Sequence, residues 1–173
     1  MTKTLSGMDR ELEAPRFEYG KPLLFAGLRG HFTAASWDGI PAQWYRLESF
    51  GKILGQVGRV HYGLCFNMSE GIDYLSGVEV TGVGGLPDEF KHVSVPAQTY
   101  AVFPHRGHVS KLYDTADTIS RRWLPASGYE IADTAAGAPN FFERYGEAFD
   151  PRAGMGDIEI WIPVKARSER NEL

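Results

Sequence analysis

The sequence predicts an α+β fold in which two strand–helix–strand–strand halves place two main helices over one antiparallel sheet. The first observation is that strand and helix patterns follow one another in the same order twice along the chain. The second is that residues 29–31, Arg-Gly-His, recur as residues 106–108, each time after an apolar strand pattern and before a helix pattern. The third is a length of 173 residues with 43% apolar content, which suits one globular domain.

The first half covers about residues 17–83. Four apolar side chains at three- and four-residue steps predict one buried helix face, and Pro41, which has no backbone donor, indicates that the helix starts near residues 39–41. That face consists of Trp37, Ile40, Trp44 and Leu47. The predicted elements of this half are a strand at residues 22–31, a helix within 34–50, and strands at 60–66 and 74–83.

The second half covers about residues 96–166 and is preceded by a short extended stretch at residues 90–95. Its helix pattern has Ser110 as a plausible N-cap and Pro125 and Gly128 as stop signals. The predicted elements are a strand at residues 96–103, a helix at 110–123, and strands at 140–146 and 157–165. In the last strand, Glu159 and Trp161 alternate with the apolar face of Ile158, Ile160, Ile162 and Val164.

Composition limits the partners that the chain can have. The chain carries 22 acidic and 18 basic residues, for a net charge of −4, and lacks a clustered basic face, so we expect no nucleic-acid binding by the chain itself. No apolar run reaches the length of a membrane span, and the polar N-terminus does not resemble a signal peptide. We therefore expect one ligand-binding domain at residues 17–166, a flexible lead at 1–16, a polar tail at 167–173, and a cytoplasmic location.

Cysteine and histidine patterns predict neither a metal nor a cofactor. A single cysteine, Cys65, excludes an internal disulfide and a cysteine-based zinc site, and its apolar strand favours a role as a small buried side chain. His31 and His108 occupy equivalent places in the repeat, beside predicted strand-to-helix turns, without further ligands at metal-binding spacing. Nucleotide-binding, dinucleotide-binding and hydrolase sequence motifs are also absent.

Residues 140–145 carry the most informative candidate site. In a strand, Phe141, Glu143 and Tyr145 share one face, and a carboxylate between two aromatic rings is costly to bury unless something compensates its charge. A cationic ligand would compensate it, with cation–π attraction from the rings. The alternative is a solvent-exposed face on which Glu143 pairs with a surface Arg or Lys.

Aromatic side chains on the two helices extend this candidate site. Trp37, Trp44 and Tyr113 either belong to ordinary helix cores or sandwich a flat ligand at the junction between the halves, where ligand sites are common. Strand aromatics could add to the wall of such a pocket or form ordinary sheet core. These strand residues are Tyr62, Phe66, Tyr74 and Tyr100.

Four segments of the chain resemble the GyrI-like small-molecule-binding family, whose fold also forms the effector-binding domain of multidrug-responsive transcription regulators. They read VPAQTYAVF at residues 95–103, WLPASGYE at 123–130, FERY at 142–145 and EIWIPV at 159–164. The resemblance is specific over about residues 90–166. Over residues 17–83 it rests mainly on element order and the repeat.

The resemblance implies two modules related by a pseudo-twofold axis, with a ligand cleft between them. It implies that Glu143 lies in an aromatic pocket that attracts cationic, hydrophobic drugs, and that Tyr145 lines this pocket. It also implies that Trp37 or Trp44 from the first half and Tyr113 from the second clamp a flat ligand. Regulators of this class carry a helix-turn-helix domain ahead of the binding domain, whereas only about 16 residues precede the first predicted strand here. We therefore expect this chain to be a standalone binding domain, as a monomer or homodimer, or to act with a partner.

Three functions follow as hypotheses. The leading one is a module that binds small hydrophobic, cationic or planar organic molecules. The second, which some standalone family members suggest, is a hydrolase of strained cyclopropane-containing compounds, with Glu143 acting on a water and Tyr145 or Tyr113 donating a hydrogen bond to the oxyanion. The third is a protein-binding inhibitor whose contact face includes Trp161, unless that ring is covered.

Overall fold

The computed structural model describes residues 12–133 and 135–168, so most of the predicted N-terminal lead and of the polar tail lies outside the described residues. The predicted α+β fold is confirmed, with two main helices and an antiparallel sheet. The first half contains β1 (Arg16–Gly20), β2 (Leu23–Phe32), α1 (Gly39–Glu48), β3 (His61–Asn67) and β4 (Ile72–Glu79). The second half contains β5 (Lys91–Val95), β6 (Gln98–His105), α2 (Leu112–Thr118), α3 (Leu124–Ala126), β7 (Tyr129–Ile131), β8 (Phe141–Tyr145) and β9 (Ile158–Ala166).

The second helical segment is less regular than its sequence pattern predicts. It begins with a 3₁₀ turn at Val109–Lys111 and passes through a π-helical turn between α2 and α3. The prediction of Ser110 as N-cap is wrong, because the Ser110 backbone N–H donates to His108 Nδ1 at 3.1 Å and makes His108 the capping residue. Pro125 lies within α3, and the chain leaves the segment only at Gly128, whose φ of 76° favours glycine.

The strand order shows the internal symmetry of the fold. The sheet runs β1-β6-β9-β8-β3-β4-β2-β5, with β7 paired to β9 off this path. The first module therefore has the order β3-β4-β2 and the second the order β8-β9-β6. The two modules meet where β3 and β8 pair antiparallel, so a pseudo-twofold axis passes between these strands. Gly63 lies opposite Glu143 at this junction.

Two short connections force the sheet to curl. Lys21 and Pro22 join β1 to β2, which are six strand intervals apart in the sheet, or about 29 Å in a flat sheet. Three Cα–Cα steps span at most about 11 Å. Pro96 and Ala97 make an equally short connection from β5 to β6, across the same number of intervals. The two ends of the sheet therefore approach each other, although the sheet stays open.

The concave face of the curled sheet holds an aromatic core. Val95 and Tyr100 come from opposite ends of the strand order and belong to one buried cluster, as the curl requires. Phe142 is 2% exposed at the centre of this face, and its ring contacts the rings of Phe25, Tyr62, Tyr100 and Trp161.

Trp161 is partly buried against the concave core rather than exposed. Its ring stacks on Phe142 with centroids 5.6 Å apart and planes inclined by 16°, and its indole N–H donates to Glu159 at 3.3 Å. The predicted alternation in β9 is confirmed, because Ile158, which alternates with Trp161, packs on the convex side. Since Trp161 packs inward on the concave face, it does not provide the exposed contact surface that the inhibitor hypothesis needs.

The convex face carries the helices. α1 packs on β2 and β4 through residues that include Leu47, which is 4% exposed, and the second helical segment packs over β6 and β9 through Leu112 of α2 and Ile119 of the π-helical turn. No helix within residues 12–133 and 135–168 is long and apolar enough to span a membrane. The two helices therefore flank the β3–β8 junction on the side of the sheet that Glu143 faces.

We expect Phe142→Ala to lower the free energy of unfolding by about 3–5 kcal/mol, because it opens a cavity at the centre of the concave core. Tyr19→Ala is a matched control, since Tyr19 is 77% exposed, and it should cost less than about 1 kcal/mol. Denaturant unfolding of both variants measures the difference. Equal losses would contradict the description of the concave face as the main core.

Candidate functional site

Glu143 occupies the β3–β8 junction on the convex face. It is paired with Gly63, and residues directly opposite each other in antiparallel strands project to the same side of a sheet. Glu143 as a whole is 9% exposed, so the alternative of a solvent-exposed Glu143 does not match its position. Its flanking strand residues Phe141 and Tyr145 project to the same side, as the alternation in β8 predicts.

Two tyrosines satisfy the carboxylate. The hydroxyl of Tyr74 donates to Glu143 Oε1 at 2.6 Å, and the hydroxyl of Tyr145 donates to the same oxygen at 2.8 Å. The Cys65 thiol lies 4.0 Å from Oε2, the distance of a weak contact. In the described part of the chain, no Lys, Arg or His forms an ion pair with this carboxylate. Glu143 is therefore a buried acid held by neutral donors alone.

Burial controls the protonation of this cluster. Removal from water raises the pKa of Glu143 to about 7, although the hydrogen bonds from Tyr74 and Tyr145 favour the ionised form. Burial, together with the neighbouring carboxylate, also raises the pKa of Tyr74, Tyr145 and Cys65 well above their ordinary values. The tyrosines therefore stay protonated donors, whereas Glu143 can gain or lose a proton near neutral pH.

Gly63 provides the space for this arrangement. A Cβ atom at position 63 would overlap the hydroxyl oxygen of Tyr74 and would lie 2.5 Å from Glu143 Oε1. Only glycine therefore leaves room for the tyrosine hydroxyl and the carboxylate to meet above β3. No sequence signal pairs Gly63 or Tyr74 with Glu143, so Gly63 was not predicted as a site residue and Tyr74 was predicted only as a possible wall residue.

Trp44 covers the cluster from α1. Its indole N–H donates to the Tyr74 hydroxyl at 3.3 Å, and its ring meets the rings of Tyr74 and Tyr145 edge-on, with centroids 6.2 and 5.5 Å away. The same helix buries Leu47 against the sheet, which fixes the side of α1 that faces the carboxylate. Trp44 is thus a partly buried roof over Glu143.

Trp37 and Tyr113 meet across the seam between the modules. Trp37 precedes α1 and Tyr113 lies in α2, and their rings form an edge-to-face contact with centroids 5.6 Å apart. Trp37 is 39% exposed and Tyr113 is 63% exposed, so neither ring belongs to the core. The structure therefore brings Tyr113 into contact with Trp37, one of the two first-half aromatics that the resemblance implies for a clamp. Phe141 packs partly buried beside Trp44 and Tyr74.

Tyr62 and Phe66 lie elsewhere, so their assignment to the wall of this pocket needs correction. Both side chains belong to the concave core, whereas Gly63, which alternates with them in β3, faces Glu143. The physical reason is the two-residue period of the strand, which sends neighbouring side chains to opposite faces. The sheet itself separates these two rings from the carboxylate.

The histidines of the repeat make local contacts. His31 Nδ1 lies 2.8 Å from Asp73 Oδ1, and His108 caps the second helical segment. Within residues 12–133 and 135–168, no three His, Cys, Asp or Glu side chains are grouped as metal ligands would be. The candidate site is therefore the carboxylate–tyrosine cluster with its aromatic roof.

Solved structures with this fold include proteins with bound partners. SAV2435 bound to tetraphenylphosphonium superposes with a TM-score of 0.66 at 18% identity, over 88% of this chain and 94% of SAV2435. EcmrR in a DNA complex superposes with a TM-score of 0.62 at 16% identity, over 87% of this chain and 57% of EcmrR. At these identities the similarity establishes the fold.

Sequence comparison establishes the family. The chain is 30% identical over 138 residues to the transcriptional regulator BrlR of Pseudomonas aeruginosa, a match that covers 78% of this chain and 49% of BrlR. The chain thus spans about half the length of that relative. A model of the GyrI-like small molecule binding domain matches residues 13–165. Together with the fold and the symmetric modules, this match shows that the chain belongs to the GyrI-like family of small-molecule-binding domains.

Proposed function

We propose that this domain binds amphipathic, planar organic cations at Glu143, with Trp37, Trp44, Tyr113 and Tyr145 as aromatic walls. The observation that carries the proposal is a buried carboxylate whose hydrogen-bond donors are two neutral hydroxyls. An ionised carboxylate in such surroundings keeps a large unmet charge. A ligand that brings a positive charge to Oε2 would compensate the charge that the protein leaves open.

Aromatic surroundings favour an organic cation over a small inorganic one. Trp44, Tyr74 and Tyr145 surround the carboxylate with ring surfaces, and each ring face attracts a desolvated cation by about 0.5–2 kcal/mol. The same rings offer apolar area to the hydrophobic part of a ligand. A compact, strongly hydrated ion gains neither contribution. The site chemistry therefore matches a lipophilic cation of aromatic character.

The contact between Trp37 and Tyr113 marks the proposed entrance. Both rings are exposed and come from different modules, so they can separate without opening either core. Their edge-to-face contact is worth about 0.5–1.5 kcal/mol, which a flat ligand stacked between the rings would replace. Trp44 must also shift, because it covers the Tyr74 hydroxyl. SAV2435, which shares this fold, was solved with the lipophilic cation tetraphenylphosphonium, and this supports the proposed ligand class.

Hydrolysis is the second candidate function, and one observation favours it. A carboxyl group whose pKa is raised to about 7 is suited to accept a proton from water near neutral pH. The two tyrosine hydroxyls already donate to Glu143, so Tyr145 would have to exchange this bond to stabilise an oxyanion. Tyr113, at the entrance, contacts Trp37 instead. We place binding first because it requires no change in the hydrogen bonds that Tyr74 and Tyr145 donate to Glu143.

We expect Glu143→Gln to stabilise the free protein above pH 7. Because the folded pKa of Glu143 lies above its ordinary value of 4.5, the folded state holds this proton more tightly than the unfolded state does. The wild type therefore loses stability as pH rises from about 4.5 to about 7, by up to about 3 kcal/mol, since a tenfold change in proton affinity corresponds to about 1.4 kcal/mol.

Unfolding free energies of wild type and Glu143→Gln between pH 4.5 and 8.5 measure this effect. The difference between the two proteins should grow with pH up to about 7 and then stay constant. Glu147→Gln removes an exposed carboxylate four residues along the chain and should leave the wild-type profile unchanged. A difference between wild type and Glu143→Gln that does not depend on pH would show that Glu143 ionises normally in the folded protein.

We expect tetraphenylphosphonium to bind the wild type saturably at pH 8 and at least about tenfold more weakly to Glu143→Gln, because the variant lacks the charge that pairs with the cation. Tryptophan fluorescence follows the titration through Trp37 and Trp44. Glu147→Gln should retain wild-type affinity. Affinity for the wild type should also fall as pH drops below 7, since protonation neutralises Glu143.

One outcome of this titration would contradict the binding proposal. Saturable binding that is equally tight in wild type and Glu143→Gln would remove the carboxylate from the site. If that result came with turnover of an electrophilic substrate by the wild type alone, it would instead favour the hydrolase function.

A further inference from the structure

The two carboxylate oxygens of Glu143 have unequal surroundings. Oε1 accepts hydrogen bonds from the hydroxyls of Tyr74 and Tyr145, at 2.6 and 2.8 Å. Among the described residues, the hydrogen-bond contact of Oε2 is the Cys65 thiol, which lies 4.0 Å away and is a weak donor. A carboxylate has about four acceptor positions, two on each oxygen. The tyrosines therefore saturate Oε1, whereas Oε2 keeps its capacity to accept a strong hydrogen bond.

The open oxygen lies on the side of the carboxylate that borders apolar side chains. Cys65 is buried in one cluster with Phe32 and Tyr74, and Ile40 and Phe141 pack partly buried against this cluster. Apolar and aromatic side chains of this kind offer contact area to a ligand but no strong hydrogen-bond donor. Once water is excluded from this side, Oε2 can gain its missing donor from the ligand.

One face of α1 and of the turn before it leads from the proposed entrance to this oxygen. Trp37, Ile40 and Trp44 recur at three- and four-residue steps and therefore share this face. Trp37 contacts Tyr113 at the entrance, and Ile40 packs on the cluster that contains Cys65. A ligand that moves inward along this face therefore arrives on the Oε2 side of the carboxylate.

From these contacts, and resting on the cation-binding function proposed for Glu143, we propose that the site selects organic cations that carry an N–H group. The ligand class is that of protonated amines with an aromatic body, in preference to quaternary cations of the same size. The ligand N–H donates to Glu143 Oε2, in a charge-assisted bond with a length of about 2.7–2.9 Å. The aromatic body of the ligand lies along Ile40, Trp44 and Phe141.

A quaternary cation cannot make this hydrogen bond. Its methyl groups approach an oxygen to about 3.3–3.6 Å through weak C–H contacts, and they hold the charged nitrogen farther away. Such a cation still gains cation–π attraction from Trp44 and Tyr145, so it binds, but it leaves Oε2 buried without a strong donor. Positive charge therefore brings either cation to the site, and the N–H group decides between them.

A matched pair of ligands isolates the N–H group. Dimethyl(naphthylethyl)ammonium and trimethyl(naphthylethyl)ammonium have the same aromatic body and the same charge, and they differ by one N–H that is replaced with N–CH₃. Isothermal titration calorimetry at pH 8 measures both affinities, because the tertiary amine stays protonated there and Glu143, whose pKa is raised to about 7, is ionised.

Two variants complete the experiment. In Glu143→Gln, the tyrosine hydroxyls hold the amide oxygen in the place of Oε1, which turns the amide N–H₂ toward the ligand in the place of Oε2. Cys65→Ala removes the thiol beside Oε2 and keeps the carboxylate, so it is the matched control. Thermal unfolding of both variants first checks that they are folded.

We expect the wild type to bind the N–H cation at least about tenfold more tightly than the trimethyl cation, because the N–H group supplies the donor that Oε2 lacks. Cys65→Ala should keep this preference, since the acceptor is unchanged. In Glu143→Gln the preference should fall below about twofold, because the amide N–H₂ cannot accept the ligand N–H.

Equal affinities of the wild type for the two cations would overturn this inference and leave the proposed function standing, since both ligands would still bind. A preference that survives in Glu143→Gln, or one that disappears in Cys65→Ala, would also overturn it, because the acceptor would then be a group other than Oε2. If neither naphthyl cation binds saturably, the inference fails, and tetraphenylphosphonium distinguishes the two cases. Its failure to bind would contradict the proposed function as well.

Discussion

The antiparallel pairing of β3 with β8 determines where the candidate site and the main core of this domain lie. It joins the two modules at their pseudo-twofold axis and sets Glu143 opposite Gly63. Because Gly63 has no side chain, the Tyr74 hydroxyl can reach over β3 to the carboxylate from the neighbouring strand. A shift of this register by one residue would send Glu143 into the concave aromatic core, where Phe142 now lies. The candidate site and the main core are thus two consequences of one register.

The curl of the sheet lets both faces be buried in a small domain. Short connections bring the two ends of the strand order together, so the concave face closes on its own aromatic side chains without a covering layer. The helices are therefore needed only on the convex face, where they flank the module junction. A helix that mainly covers a site, such as α1 with Trp44 as its roof, can shift while the concave core stays packed. This division separates the part of the fold that holds the structure from the part that must open for a ligand.

Much of this arrangement is readable from the sequence, because strands and helices have fixed periods. The two-residue period predicted that Phe141, Glu143 and Tyr145 share a face, and the helix period predicted the side of α1 that packs on the sheet. Other features depend on pairing between distant strands. Gly63 and Tyr74 become site residues only through β3–β8 and β3–β4 pairing. The same pairing sends Tyr62 and Phe66 to the opposite face, and the edge strands β1 and β7 were not predicted because short polar segments gain their structure from a neighbour.

The central claim is that a bound cation compensates the charge of the buried Glu143 carboxylate. A ¹³C NMR titration of the Glu143 carboxyl carbon tests this claim directly. The protein is labelled at glutamate, and the signal is assigned by comparison with Glu143→Gln. The account predicts a midpoint near pH 7 in the free protein. With saturating tetraphenylphosphonium the midpoint should fall by more than about one pH unit, because a bound cation favours the ionised form. A midpoint near 4.5 in the free protein, or one that the bound cation leaves unchanged, would contradict it.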